Sequence, residues 1–199
     1  MTLYSQKFSN IRKTWLLFAL FLVVVIGIGW AFSRIYNNPG ILYFAVIFSV
    51  SMNLISYWWS DKIVLRMTGA KPVERKEFTE LYNIVENLAI TGGLPIPKIY
   101  IIPETQPNAF ATGRNPEHAV VAVTEGLLRR LDRSELEGVL AHELAHIGNR
   151  DILLSSVVVV LVGFISILSD WFLRSSFWGG GRSRDDRGGG QAQAIFTLI

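Results

Sequence analysis

"GVLAHELAHIGNRD", residues 138–151, sets His142 and His146 four positions apart around Glu143, in a chain that is 50% hydrophobic. On an α-helix, at about 100° per residue, the two imidazoles stand one turn apart on one face, while Glu143 is turned about 100° away. Histidines so placed are a pair of nitrogen ligands for one divalent ion, and a glutamate beside them suits a base acting on water held by that ion. The competing reading is a pair of helical histidines with no ligand role. Against it, the chain has only 3 histidines, and two of them frame a glutamate in the order of a metal-dependent peptide hydrolase. The spacing therefore implies a zinc cofactor, His142 and His146 as two of its ligands, and Glu143 as the catalytic general base.

Zinc chemistry of this kind needs three protein ligands and an open position. A histidine-rich extension of the motif would place its third histidine at position 152, where Ile152 stands. On a continued helix Asp151 is rotated about 140° from His146, which suits it to a supporting or capping role behind the ligands. Glu135 shares the face of the histidines but lies roughly 10 Å from His142 along the axis, too far for a shared ion. His118 follows a turn and is either a recruited donor or a solvated loop histidine.

The surroundings are those of a membrane protein. Charged residues make up 18% of the chain, and the apolar excess is gathered into runs at 15–32, 41–59 and 152–173. Each is close to the ~20 residues a helix needs to cross ~30 Å of hydrocarbon. Trp15, Trp30, Trp58, Trp59, Trp171 and Trp178 all fall at or near the ends of these runs, where indoles favour the interface. Residues 1–60 thus read as a transmembrane hairpin and 152–173 as a third transmembrane helix. Lys7, Arg12 and Lys13 precede the first span, and Lys62, Arg66, Lys71, Arg75 and Lys76 follow the second. By the positive-inside rule both flanks are cytoplasmic. The expected location is a cytoplasmic (inner) membrane, multi-pass, with the domain at 61–151 facing the cytoplasm.

The net charge of +3 comes from residues beside the spans rather than from an aromatic-rich basic face, so nucleic acid is not an expected partner. Cysteine is absent, so a metal is held by nitrogen and oxygen. The first two spans carry no charged residue to line a polar path, which argues against a transporter.

Between the spans the pattern is α+β. Phe78, Leu81, Tyr82, Val85, Leu88 and Ala89 recur at helical spacing and Gly92-Gly93 supplies a stop. Runs at 98–102, 108–112 and 119–124 read as a short, at least partly antiparallel sheet, with the turn Gly113-Arg114-Asn115-Pro116 joining the last two. A short helix is expected at 125–131. Ser134 with Glu137 forms a capping box for the helix of the histidines, which can run on into the third apolar segment unless Gly148-Asn149 kinks or ends it. Residues 174–193 read as a Gly/Arg-rich loop. Three crossings place it outside, although Arg174, Arg182, Arg184 and Arg187 argue for inside. Residues 194–199 begin a fourth apolar segment.

With "HELAHIGNRD" and "PNAFATGR" together, the chain resembles the HtpX-type membrane metalloproteases, relatives of the CAAX prenyl proteases. The resemblance implies a small zincin-like cytoplasmic domain between membrane helices and an endopeptidase that cleaves membrane or misfolded proteins in protein quality control. It further implies substrate contacts at Asn108, Ala109, Phe110 and Ala111, since an edge strand near the metal can pair with an extended peptide. The competing reading of 108–111 is an ordinary interior strand, with Phe110 in the core. In that family the third zinc ligand is a glutamate on a helix after the fourth hydrophobic segment, here expected beyond residue 199. A different function class follows if that ligand is missing: an inactive fragment or a non-catalytic metal-binding membrane module.

Overall fold

The computed structural model describes the backbone of residues 3–179 and the side chains of residues 7–167. The chain divides into two compact units, Met1–Gly163 and Phe164–Ile199. All that follows lies in the first, apart from the far part of the last helix.

Two long helices open the chain, α1 (Leu3–Ile35) and α2 (Gly40–Met67). Both are long and apolar enough to cross a membrane, as expected for a membrane protein. They join through a tight turn in which Asn37 takes φ 49° and the Asn38 side-chain oxygen accepts the Gly40 N–H at 2.9 Å. Small and polar residues bring them close, beside the buried Phe18, Phe21 and Met52. Gly29 lies against Ala45 so closely that a Cβ there would sit within 2.3 Å of the alanine's. Ser49, Ser56 and Ser60 are buried, and Asn53 Nδ2 donates to Phe18 O at 3.1 Å. Close backbone approach and interhelical hydrogen bonds drive such pairing where the solvent is as apolar as the side chains.

Past α2 come β1 (Lys71–Pro72), α3 (Thr79–Thr91), β2 (Lys98–Ile102), β3 (Ala109–Thr112), a 3₁₀ turn (Pro116–His118), β4 (Val120–Thr124), α4 (Glu125–Arg130), α5 (Arg133–Asn149) and α6 (Ile152–Gly179). α3 forms where the helical spacing predicts it. Leu81, Ile84, Val85 and Ala89 are its buried stripe, and Gly92 and Gly93 end it, the latter at φ 64°.

The sheet order is β1-β2-β4-β3. The sheet is antiparallel in part, as expected: β1–β2 and β3–β4 are antiparallel, and the central pair β2–β4 is parallel, with Ile99 opposite Val121 and Ile101 opposite Val123. Every residue of β4 is buried, which suits an interior position covered on both faces. The chain therefore leaves β2, forms β3 at the edge, and folds back to insert β4 between them. Gly113, at φ 141°, makes the return possible, since a Cβ there would meet His118 O at 2.6 Å. The two faces alternate with period two. Ile99, Ile101, Val121, Val123, Ala109 and Ala111 pack with α3 and α5. Tyr100, Ile102, Val120, Ala122 and Phe110 pack with Leu65 of α2.

α5 buries Leu136, Leu140, Leu144 and Ile147 in the first of these cores. Its capping box differs from the expected pair. Asp132 is the N-cap, accepting the Glu135 N–H at 2.9 Å while Glu135 accepts the Asp132 N–H at 2.9 Å. Ser134 instead donates to the Asp132 carboxylate at 2.8 Å, and Glu137 pairs with Arg133 at 3.1 Å. Aspartate takes the cap because it lies at the last extended residue before the helix, where its carboxylate reaches the free N–H groups of the first turn. At its other end α5 stops at Asn149. Arg150 adopts the left-handed conformation, φ 57°, and the chain turns by 90° into α6. α6 continues to Gly179, past residue 173 where the apolar run was expected to end. Of the loop expected at 174–193, residues 174–179 belong to α6, and 180–193, with the apolar segment 194–199, lie outside the described residues.

Candidate active site

Residues 142–146 lie wholly within α5, and the helical turn does what the spacing requires. His142 Nε2 and His146 Nε2 are 3.2 Å apart, their rings nearly perpendicular with centroids 4.7 Å apart. Two nitrogens bound at about 2.0–2.1 Å to one tetrahedral zinc stand about 3.3–3.4 Å from each other, so the pair is spaced for a shared ion. Both rings face outward on the helix, opposite the leucines that hold α5 to the sheet.

His146 Nδ1 lies 2.9 Å from Asp151 Oδ2. A carboxylate only accepts, so Nδ1 donates to it and Nε2 is the nitrogen left for a metal. On a continuing helix Asp151 faces away, and the left-handed residue Arg150 brings it back beneath His146. The other oxygen, Asp151 Oδ1, is buried and has no hydrogen-bond partner among the described residues.

Glu143 is half-buried, and its Oε2 accepts the Ala111 N–H at 3.0 Å. That bond fixes which way β3 looks. Asn108 O accepts the Thr124 N–H at 2.9 Å and Asn108 N donates to Thr124 Oγ1 at 2.9 Å. By antiparallel alternation, residues 108, 110 and 112 turn their backbone groups to β4, and 109 and 111 turn theirs to the free edge. The edge thus offers the N–H and C=O of Ala109 and the C=O of Ala111 beside Glu143. Ala109 and Ala111 are brought to the site. Asn108 is tied through its backbone to Thr124, and Phe110 points to the opposite face of the sheet.

The other candidate donors are engaged elsewhere. His118 Nδ1 meets Asn115 Oδ1 at 2.7 Å and its Nε2 meets Arg114 at 2.8 Å, while Glu135 closes the capping box. Among the described residues no third histidine, aspartate or glutamate joins the two histidines in a ligand cluster. The donor set present, two imidazole nitrogens with one ring oriented through its Nδ1, is that of two of a zinc ion's ligands. A cavity of about 650 Å³ lies elsewhere on α5, lined by Lys7, Leu88, Leu94, Ala141, Ala145 and Gly148. It includes neither histidine nor Glu143, so the chemistry sits outside it, on the open side of the helix.

Sequence reasoning missed the Ala111–Glu143 bond, which no side-chain pattern encodes, and two contacts near the far end of β3: Thr112 Oγ1 with Ser156 Oγ at 2.7 Å, and the Arg114 guanidinium 4.5 Å from the Trp58 ring.

With this geometry in place, the family match and the sequence relatives agree on a class. Residues 75–192 match peptidase family M48. A protease HtpX homolog of Caldanaerobacter subterraneus is 48% identical over 189 residues, covering 94% of this chain and 63% of that protein. One from Syntrophobacter fumaroxidans is 46% identical over 193 residues, covering 96% and 67%. The crystal structure of S. mikatae Ste24p aligns with a TM-score of 0.47 at 22% identity, covering 89% of this chain and 45% of that one. The chain belongs to peptidase family M48. It spans 63% and 67% of the length of the two relatives.

Proposed function

We propose that the protein is a membrane-anchored zinc endopeptidase that hydrolyses peptide bonds of membrane or misfolded proteins at the cytoplasmic face, in protein quality control. One observation carries the reading: two imidazole nitrogens 3.2 Å apart on a single helical turn, with a carboxylate held beside them by an edge strand. Membership of a peptidase family supports the reaction class. The basic residues flanking the first two apolar helices support the cytoplasmic side.

His142 and His146 would hold the metal through Nε2, with Asp151 orienting His146 through Nδ1. Zinc, when bound, supplies Lewis-acid polarisation of the scissile carbonyl and of the attacking water. The free edge of β3 binds the substrate backbone as an added strand, through Ala109 and the Ala111 carbonyl. Asn108, at the start of that strand, and Phe110, on its other face, keep the edge in register. Glu143 is the general base. With Oε2 held by the Ala111 N–H, Oε1 takes the proton from water and returns it to the leaving amine.

Glu143→Gln keeps the shape and the Ala111 contact but removes the proton acceptor. Cleavage of an unfolded protein substrate by the product of the complete reading frame is expected to fall by about 10²–10⁴-fold, with zinc content unchanged. Cleavage at the parental rate would remove Glu143 from this role.

A further inference from the structure

Besides the packing of Phe110 on Leu65 of α2, polar contacts among the described residues tie one end of β3 to the apolar helices. At its C-terminal end Thr112 bonds to Ser156 on the first turns of α6, and Arg114 lies over Trp58 of α2. Trp58 marks a boundary on α2. The apolar run ends at Trp59 and Ser60-Asp61-Lys62 follow. About 20 helical residues counted from Gly40, enough for ~30 Å of hydrocarbon, also end here, and indoles gather at that level.

Beyond Trp58 the helix continues alongside the sheet. Leu65 packs on the face that carries Phe110 and Ile102, and the chain then delivers Lys71 opposite Ile101, near the end of the sheet formed by Ile102 and Thr124. Going up α2 from Trp58 to Lys71 is therefore going up the sheet from Thr112 to Ala109. With the bilayer boundary placed at Trp58, the strands stand on it and the free edge of β3 rises from it. Ala111, whose N–H holds Glu143, is three residues from Arg114, on the order of 10 Å at ~3.3 Å per residue.

We infer that this edge takes an extended polypeptide segment emerging directly from the bilayer, and that the bond cut lies within about five residues of the substrate's own membrane span. The inference rests on the peptidase reading above and adds its substrate class: the juxtamembrane segments of membrane-anchored polypeptides. Backbone pairing at Ala109 and Ala111 asks for extended chain and little side-chain sequence. The distance from the bilayer then does the selecting.

Two measurements test it on the protein from its complete reading frame in proteoliposomes. The described chain has no cysteine, so Glu117→Cys, in the turn with Arg114, and Thr105→Cys, beyond the other end of β3, can each carry a nitroxide. The label at 117 is expected to respond to lipid-soluble oxygen and the label at 105 to a water-soluble relaxant. Equal aqueous exposure at both positions overturns the inference. In the second measurement, a cleavable segment is joined to a single membrane span either directly or through about ten prolines, a stiff spacer of roughly 31 Å. Cleavage is expected to drop about tenfold or more with the spacer, because a segment held out of reach has almost no effective concentration at the site. Equal rates overturn it. A soluble unfolded polypeptide is assayed in parallel. If it is cut while neither anchored substrate is, the ruler falls and the peptidase reading stands. If none of the three is cut, the peptidase reading fails and takes the inference with it.

Discussion

The α1–α2 hairpin and the sheet domain that follows it are packed inside out relative to each other. In the hairpin many large side chains point outward, Val23 70% and Ile47 67% exposed, and although Phe18, Phe21 and Met52 are buried, Gly29, Ala45 and buried serines give the helices their close approach. In the domain the large aliphatics Val121, Val123, Leu140 and Ile147 are fully buried, and ion pairs such as Arg129–Glu125 and Arg133–Glu137 face out. One chain thus obeys two solvents. Water rewards burial of apolar area, and lipid rewards close backbone contact and satisfied polar groups. The histidines and Glu143 belong to the second region, on a helix whose stability comes from its leucines and whose outward face is left for chemistry.

The sharpest way to break this contrast is to make the same truncation in both regions. Leu140→Ala removes a fully buried side chain of α5 and is expected to cost about 2–5 kcal/mol, read as a large fall in the domain's thermal midpoint and in bound zinc. Leu20→Ala, on the outward face of α1, is expected to cost under ~1 kcal/mol, because lipid tails replace the contacts the leucine made. A comparable loss from both would mean that α1 is covered by protein and not by lipid.

Gly29→Leu probes the hairpin from the inside. Its side chain has no room beside Ala45, so α1 and α2 must separate, at about 1–3 kcal/mol. The midpoint of the hairpin should fall while the zinc affinity of the domain stays near parental. Loss of zinc in this variant would show that the hairpin holds the site together, contrary to the contrast drawn here.

Asp151→Asn sharpens the comparison within the domain, where polar groups serve the site and not the core. The amide can still accept the His146 Nδ1–H through its oxygen, but it lacks the negative charge that supports a ring bound to a cation. Zinc affinity is expected to drop about 10–100-fold with the fold unchanged, measured by competition with a zinc chelator of known strength. Unchanged affinity would leave Asp151 as a turn residue at the start of α6 and nothing more.

What could be read from the residues divides along the same line. Local patterns locate α3, the three longer strands and the start of the helix of the histidines to within a residue or two, because each depends on local spacing. Sheet order does not follow from it: the runs at 98–102 and 120–124 are both apolar, and only the complete burial of β4 decides that it sits in the middle, parallel to β2. The stop at Arg150 was partly hidden, since an arginine in the left-handed region carries no signal of its own and the neighbouring Gly148-Asn149 could have ended the helix or only bent it. That one residue decides whether Asp151 faces His146. The Ala111 N–H on Glu143 and the stacking of Arg114 on Trp58 join segments 32 or more positions apart and are properties of the folded chain alone.

The smallest expected effect concerns the start of α5, where Ser134 and Asp132 are both able caps and the structure selects Asp132. Its carboxyl is held below the ordinary aspartate range, chiefly by the Glu135 backbone N–H and then by the Ser134 hydroxyl. Because the folded value lies below the unfolded one, the stabilisation is fully present above the unfolded value and fades as pH falls through the folded value. Between the two values the unfolded chain binds the extra proton, so acid favours fraying. The expectation is faster amide exchange in the first turn of α5 below about pH 4, with His142 to His146 still protected, since the leucine stripe and not the cap anchors that part of the helix. Asp132→Asn, which keeps an N-cap acceptor without the charge, should flatten this pH dependence. If the dependence survives the substitution, the titrating group lies elsewhere and the cap contributes only its hydrogen bond.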